Sequence, residues 1–435
     1  MTASDTPSTH GFRFFLLFWA GQVQSFMGSN IVQFVIIWWI VIEHESALML
    51  ALAAFMGFAP QIVLTPIAGV FADRWSRKKV IGVADFLQAL VTMVLIYLFW
   101  TGDVLILHVL IILMLRSSLQ AFHFPAVQAI IPLLVPKEKL SRVNGMDYFS
   151  RGVVGVAGPL IAAFLLTIWE IHIILWLDAI TFLIAVLPLL ILKIPSVAKR
   201  RLQKGEKSSF KAEFAEGIGF IRQKSGLLSL LSIFIAANFF IIPLYVLLPL
   251  LVTQVHSGGA NDWAILLAFW QAGILTGALF MSLWKGFARN TVGVGFGILL
   301  MYVGFLIVLS VPENPHIFIV MGFGMAVVGF GLPIANISSQ TIWQSVVPPE
   351  KIGRVFSARR SIAQFTSPLA MVVSGLLAEL IGLERLLFAC AVLGLSCLAY
   401  SWLMTDLREA ETPFEMPEAP LLASSPAIDS YQESD

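Results

Sequence analysis

The chain has 435 residues, 58% hydrophobic and 12% charged, with a formal net charge of +1. Soluble domains carry about a quarter charged residues, so the composition excludes an ordinary water-soluble globular protein. The two cysteines, Cys390 and Cys397, fall in one apolar run, which excludes a disulfide framework and a cysteine metal site.

A helix crosses the hydrocarbon core with roughly 20 apolar residues, so this length allows about twelve spans with short loops. Apolar runs occur at Phe12–Ile42, Leu48–Ala72, Val80–Trp100, Leu105–Phe124, Val143–Trp169, Ile171–Leu192, Leu227–Thr253, Trp263–Trp284, Thr291–Val311, Ile317–Gln340, Val355–Leu380 and Leu386–Leu403. The first is too long for a signal-peptide core and has no small-residue cleavage site, so it reads as span one. The runs are too long for barrel strands and lack period-two alternation. The expectation is an all-α integral membrane protein with twelve transmembrane helices.

The basic residues orient it. If both termini are cytoplasmic, all but two of the 27 Lys and Arg residues fall on the cytoplasmic side; Arg116 lies inside a span and Arg385 in an outer loop. Such a bias predicts a multi-pass protein of the plasma or inner membrane with both termini inside. The longest connection, Lys193 to Lys224, contains Ser208–Gln223 with apolar Phe210, Phe214, Ile218 and Ile221, the spacing of an amphipathic helix on the inner membrane surface. The expected divisions are an N-terminal six-helix bundle at 1–192, a cytoplasmic linker at 193–225, a C-terminal six-helix bundle at 226–404, and an acidic, Pro/Ser-rich, disordered tail at 405–435.

The halves repeat. Residues 135–143 read Val-Pro-Lys-Glu-Lys-Leu-Ser-Arg-Val and residues 347–355 read Val-Pro-Pro-Glu-Lys-Ile-Gly-Arg-Val. Gln128-Ala-Ile and Gln340-Thr-Ile precede them at the same offset, and both copies join an even span to the next odd one. Two homologous six-helix halves about an axis along the membrane normal form a transporter architecture.

After span two comes Gly69-Val-Phe-Ala-Asp73-Arg74-Trp-Ser-Arg77-Lys78-Lys79. This resembles the signature loop of the major facilitator superfamily, with Ser76 in place of the usual glycine. Arg116 in span four, followed by Ser117, Ser118, Leu119 and Gln120, resembles a second motif of that family, with Ala121 at its glycine position. Gly152-Val-Val-Gly155-Val-Ala-Gly158-Pro159 in span five resembles its antiporter motif. The segment Arg116–Pro136 and the opening Trp19-Ala-Gly-Gln22 are similar to macrolide-efflux permeases, a subgroup that also resembles siderophore exporters. The resemblance implies the major facilitator fold of two pseudo-symmetric bundles. It implies that Asp73 contacts the start of span eleven when the inner gate is shut, and that the span-five glycines keep substrate from leaking back.

The expected cytoplasmic gate is Gly69, Asp73, Arg74, Arg77 and Lys78, with Arg359 and Arg360 at the start of span eleven. A helix N-terminus there would stabilise the Asp73 carboxylate. Intramembrane charges are costly and normally face a cavity or a partner. Asp85 in span three, Arg116 in span four and Asp178 in span six all lie in the first half, so that half is expected to handle protons. Burial makes a carboxylate's charge costly, and taking up a proton relieves that cost. Asp178 is the preferred proton site and Asp85 the second, with Arg116 holding one of them ionised; a static Asp–Arg brace is the alternative. Asp147 and Arg151, spaced i,i+4, read as a structural pair or gate. His123, at the inner end of span four, is a possible relay or a structural interfacial residue.

The expected substrate cavity, between the halves, takes Gln22, Gln24, Asn30 and Gln33 from span one, Asn238 and Tyr245 from span seven, Gln271 from span eight, and Asn336 and Gln340 from span ten. An apolar pocket with a few polar groups suits lipophilic molecules. The chain has no Walker loop and no His/Glu metal cluster, so ATP hydrolysis, enzymatic activity and a cofactor are not expected. The expected function is secondary export of lipophilic macrolides or drugs by proton antiport with alternating access. The rivals are export of an endogenous siderophore or lipid, and a non-transporting membrane sensor or scaffold. The expected partners are the lipophilic substrate, protons and membrane lipids, with no nucleic acid, and the protein is expected to be a monomer.

Overall fold

In a computed structural model, residues 9–191, 210–311 and 316–412 are described, and the side chains of some helical residues, 69–74 among them, are not. The first half holds α1 (Thr9–His44), α2 (Ala47–Arg74), α3 (Arg77–Thr101), α4 (Ile106–Leu134), α5 (Leu140–Leu166) and α6 (Ile171–Ile191). A short helix α7 (Phe210–Gln223) leads to α8 (Ser225–Leu250), α9 (Ala260–Leu283), α10 (Asn290–Leu309), α11 (Ile317–Val346), α12 (Ile352–Ile381) and α13 (Leu383–Met404). Among the described residues, every helix but α7 is part of a stretch long and apolar enough to cross a membrane, twelve in all. Spans seven to twelve are therefore α8 to α13. A helix meets its own backbone hydrogen bonds without water, and its neighbours re-satisfy groups freed by interior prolines such as Pro60, Pro125, Pro243 and Pro333.

That tolerance corrects two sequence expectations. Helix α4 continues past Pro125 to Leu134, so His123 lies about three turns inside the helix rather than at its inner end. Helix α12 already begins at Ile352, so Arg359 and Arg360 sit about two turns in and are not at its N-terminus.

The two halves pack alike. In the first, α1 touches α5 and α6, α3 touches α4 and α6, and α2 touches α4. In the second, α8 touches α12 and α13, α10 touches α11 and α13, and α9 touches α11, the same pairing displaced by six spans. Close approach depends on small residues, because packing rather than hydrophobicity holds helices together in lipid. At the α10–α11 crossing, a Cβ on Gly304 would fall 2.6 Å from the Gly324 carbonyl oxygen, and one on Gly324 would fall 2.9 Å from that of Gly304.

The halves meet chiefly through α2 with α12 and α5 with α9, which exchange places under the same symmetry. We call the side of the chain ends and α7 proximal and the opposite side distal. At the distal side the Phe34 and Trp263 rings stack at 4.2 Å, and Ser46 Oγ and the Leu48 N–H donate to Glu379 Oε1 at 2.5 and 3.1 Å. Glu379, at the end of α12, thus caps the start of α2 across the interface.

Helix α7 turns its apolar face onto protein rather than onto lipid. Phe220 and Ile221 are buried, and Gly217 lies so close to α12 that a Cβ would sit 2.5 Å from the Arg354 carbonyl oxygen. Arg354 pairs with Glu216 at 2.5 Å, and the Lys351 ammonium lies 5.6 Å from the Phe220 ring centre. The expected disorder after residue 405 is also corrected in part. Leu407 and Ala410 are fully buried, Ala410 against Gly226 of α8, and Glu411 accepts the Thr291 N–H at the start of α10. The rest of the expected tail, residue 192 and residues 193–209 of the linker lie outside the described residues.

Candidate functional site

The site forms where α1, α3, α4 and α6 converge. Asp178, on α6, is 0% exposed. Its Oδ2 accepts from Arg116 Nη1 at 2.5 Å and from Thr92 Oγ1 at 2.9 Å, and its Oδ1 accepts from Ser29 Oγ at 2.9 Å. Arg116 Nη1 also donates to Thr92 Oγ1 at 2.5 Å, so the threonine accepts from the guanidinium and passes its own hydrogen to the carboxylate. Every contact makes Asp178 an acceptor, the pattern of an ionised carboxylate. Ser29 reaches it because α1 lies against α6 at Gly28, where a Cβ would meet Thr181 Oγ1 at 2.2 Å and Asp178 Cα at 3.2 Å. The structure thus joins Arg116 to Asp178 and adds Thr92 and Ser29, which the sequence reading did not name.

Asp85 stands about two turns nearer the proximal end of α3 and is 1% exposed. His123 Nε2 lies 3.0 Å from its Oδ1, off the line of a hydrogen bond. Asp147 and Arg151 form the expected i,i+4 pair at 3.0 Å, and the Arg151 guanidinium lies 5.3 Å from the ring centres of both Phe26 and Phe124.

Ser29, Arg116, His123, Asp147 and Arg151 border a cavity of about 420 Å³ whose other lining residues, all from the first half, include Trp19, Gln22, Asn30 and Gln33. Its aromatic and amide wall can take an apolar body and fix its orientation through a few polar groups. Of the residues expected to line the substrate cavity, Gln22, Asn30 and Gln33 do so here. Gln24 points away from this cavity and is exposed. Asn238 bonds its own helix at Phe234 O, Tyr245 rests on Trp270, and Asn336 is exposed. Gln271 packs against Gly155, and Gln340 accepts from Arg359 Nη1 at 3.0 Å.

Residues 18–371 match the Major Facilitator Superfamily. The chain belongs to that superfamily. It is 30% identical to Macrolide efflux protein A of Streptococcus pyogenes over 372 residues, 85% of this chain and 91% of the relative. It is 26% identical to Multidrug efflux pump Tap of Mycolicibacterium fortuitum over 404 residues, 89% of this chain and 94% of that one. Its fold is shared with a bacterial homologue of the iron transporter ferroportin, at a TM-score of 0.68 and 14% identity, over 90% of this chain and 98% of that one. The protein is a multi-pass major facilitator transporter, and its family moves small molecules.

In this facilitator the span-five glycines lie at the interface between the halves. Gly152 faces Leu275 and Gly155 faces Gln271, both on α9, while Gly158 faces Asn30 on α1 and Pro159 is buried beside it. In the signature loop, Arg77 Nη1 donates to Ala129 O at 2.7 Å and Lys78 Nζ to Leu190 O at 2.9 Å, tying the proximal parts of α4 and α6 to the start of α3. Gly69, Asp73 and Arg74 fall among the residues whose side chains are not described. The Arg359 guanidinium donates to Gln340 and Ser339 of α11 and lies 5.2 Å from the Trp343 ring centre. Arg360, next to it, is exposed.

Proposed function

We propose that this facilitator exports lipophilic molecules of macrolide or multidrug type in exchange for protons, from the plasma or inner membrane, with both termini in the cytoplasm. The observation that carries the proton reading is Asp178, fully buried and held by Arg116, Thr92 and Ser29 beside the cavity. A carboxylate placed so deep stays ionised only with such partners, and a proton on it releases the arginine. In the proposed cycle, protonation of Asp178 frees Arg116 and shifts the balance between the two bundles. Asp85 is the second acid of this system, and Gln22, Asn30 and Gln33 with the aromatic wall hold the substrate.

The bias of basic residues supports the orientation, which makes the proximal side cytoplasmic. Alternating access draws support from the symmetric α2–α12 and α5–α9 interfaces, on which the halves can rock. In this reading the distal contacts of Glu379 and Trp263 close the outer side. Gly69, Asp73, Arg74, Arg77 and Lys78 close the inner side in the alternate state, together with the proximal part of α12 around Arg359 and Arg360. The glycines at 152, 155 and 158 let α5 slide against α9 and α1. The relatives named for macrolide and multidrug efflux support the substrate class. The test compares erythromycin and ethidium accumulation in cells with and without the protein. The reading expects lower accumulation of at least one when the protein is present, and equal accumulation of both counts against the substrate class.

A further inference from the structure

We infer that His123 and Asp85 form a second proton-carrying station, on the cytoplasmic side of Asp178 and joined to it by the polar wall of the cavity. The inference rests on the proton-antiport reading above and adds a named path to it.

Three features carry it. The first is register. Helices α3 and α4 run antiparallel, and steps of four and then three residues lead from Thr92 through Gln88 to Asp85 on one, and from Arg116 through Gln120 to His123 on the other. Thr92 meets Arg116 and Asp85 meets His123, so two acid–base contacts lie about 10 Å apart along the helices, with glutamines between. The second is satisfaction. Asp178 accepts three hydrogen bonds, whereas neither oxygen of Asp85 has one, nor do Trp19 Nε1, Gln22 Nε2, Gln88 Nε2 and His123 Nε2, all of them buried atoms. Buried polar atoms are almost always partnered by protein or water, so a group of them around one polar cavity points to mobile occupants. Trp19, Gln22, Gln88, Gln120 and His123 all line the cavity, which at about 420 Å³ has room for several waters.

The third is the contact itself. Two bare lone pairs would repel at 3.0 Å, so the contact is made with a proton on one of the two atoms, although it lies off the line of a hydrogen bond and leaves both atoms room for a further partner. The other charged groups lie at or behind the wall of the same cavity rather than against the pair. Arg116 comes from α4, Asp178 from α6 and the Asp147–Arg151 pair from α5, while α1 brings only neutral Trp19, Gln22 and Ser25. Lys79 lies on the other face of α3, beside Val83 and Leu87. These charges come as two opposite pairs, Arg116 with Asp178 and Arg151 with Asp147.

The step balances simply. The O–H bond of protonated Asp178 breaks, its proton passes to cavity water, and the carboxylate returns to Arg116. An N–H bond forms at Nδ1 of His123, the ring nitrogen not turned to Asp85, while the proton at the Nε2–Oδ1 contact stays in place. That N–H then breaks toward cytoplasmic water. One proton crosses, and the station ends as it began.

The test uses the full-length protein in liposomes, with erythromycin as the probe. Wild type, His123→Gln, Asp85→Asn and Asp178→Asn are compared while the pH on the cytoplasmic face is varied from about 5.5 to 8.5, bracketing ordinary imidazole titration. His123→Gln is expected to slow proton-coupled transport at least about tenfold and to flatten its dependence on cytoplasmic pH, with erythromycin binding kept within about twofold. The exchanged double variant, Asp85→His with His123→Asp, restores part of the rate together with its dependence on cytoplasmic pH, whereas a merely structural pair would restore the rate with no pH dependence lost or regained. If His123→Gln and Asp85→Asn keep the wild-type pH profile while Asp178→Asn uncouples, the station is overturned and the antiport reading stands. If Asp178→Asn also couples normally, both fail. Should His123→Gln not assemble, the exchanged variant decides, and an assembled but inactive exchange overturns the station.

Discussion

Asp178→Asn separates a buried working charge from an ordinary polar contact. The amide keeps the size of the carboxylate but turns one acceptor into a donor, facing either Ser29 Oγ or the Arg116–Thr92 side, both of which already donate. Arg116, 9% exposed, is left as an uncompensated buried cation. Breaking a buried pair from one side costs about 3–5 kcal/mol, whereas replacing both partners by apolar residues of similar volume is often neutral or stabilising. In the double variant Asp178→Leu with Arg116→Met, Ser29 and Thr92 lose their partner but can turn to carbonyls one helical turn back. Its stability should therefore return to within about 2 kcal/mol of wild type, well above that of Asp178→Asn. Thermal denaturation of the purified proteins in detergent checks the order: wild type, then the double variant, then Asp178→Asn. Export by both variants should be lost, although one of them is nearly as stable as wild type. Asp178→Asn as stable as wild type would refute the buried-charge reasoning. A double variant that still exports with wild-type proton coupling would make the pair a brace.

Other outcomes follow from local geometry. Gly273→Ala places a Cβ 2.2 Å from the Ala326 carbonyl oxygen, backbone that cannot yield, and should cost about 1–3 kcal/mol or more in thermal stability. Gly152→Ala meets the end of the Leu275 side chain, its δ carbons at 2.5 and 3.1 Å and Cγ at 3.2 Å, which can turn aside, and should cost less than about 1 kcal/mol in the same assay. On α7, Phe220→Ala should cost about 3–5 kcal/mol because the ring is buried, while Arg354→Gln should cost less than about 1 kcal/mol because its pair with Glu216 is exposed. Glu379→Ala removes the cap on α2 and should change stability by about 1 kcal/mol or less, yet speed labelling of a cysteine placed at Ala47 by an impermeant maleimide on the distal side. An unchanged labelling rate would mean that this contact does not hold the distal side shut.

Much of the fold was legible because a hydrocarbon solvent leaves few options. Long uncharged runs must be helices, and the repeat at residues 135 and 347 points to the pairing that the two halves share. The position of Arg116 opposite Asp178 was legible in outline, since two opposite charges buried in one half have reason to meet. What was missed came from tertiary context. Helix α4 runs through Pro125 to Leu134, which sets His123 well inside the helix beside Asp85, a meeting of two helices that spacing along either one does not reveal. Ser29 is a common hydroxyl whose role depends on the approach of α6 at Gly28. Thr92 carried a usable signal, because Asp85, Gln88 and Thr92 recur at three and four residues on one face of an otherwise apolar helix. The apolar stripe of α7 was visible, but periodicity cannot say whether lipid or α12 covers it. Asn238, Asn336 and Tyr245 were chosen as polar residues in apolar spans, and such residues also bond their own helix or face outward.

The account turns on a proton exchanged at Asp178 for each cycle of export. The direct measurement is proton movement on addition of erythromycin to liposomes holding the wild-type protein or Asp178→Asn, read with a pH-sensitive dye. Wild type should move protons opposite to the drug and Asp178→Asn should move none, although it still binds erythromycin. Equal proton movement by the two proteins would contradict the account.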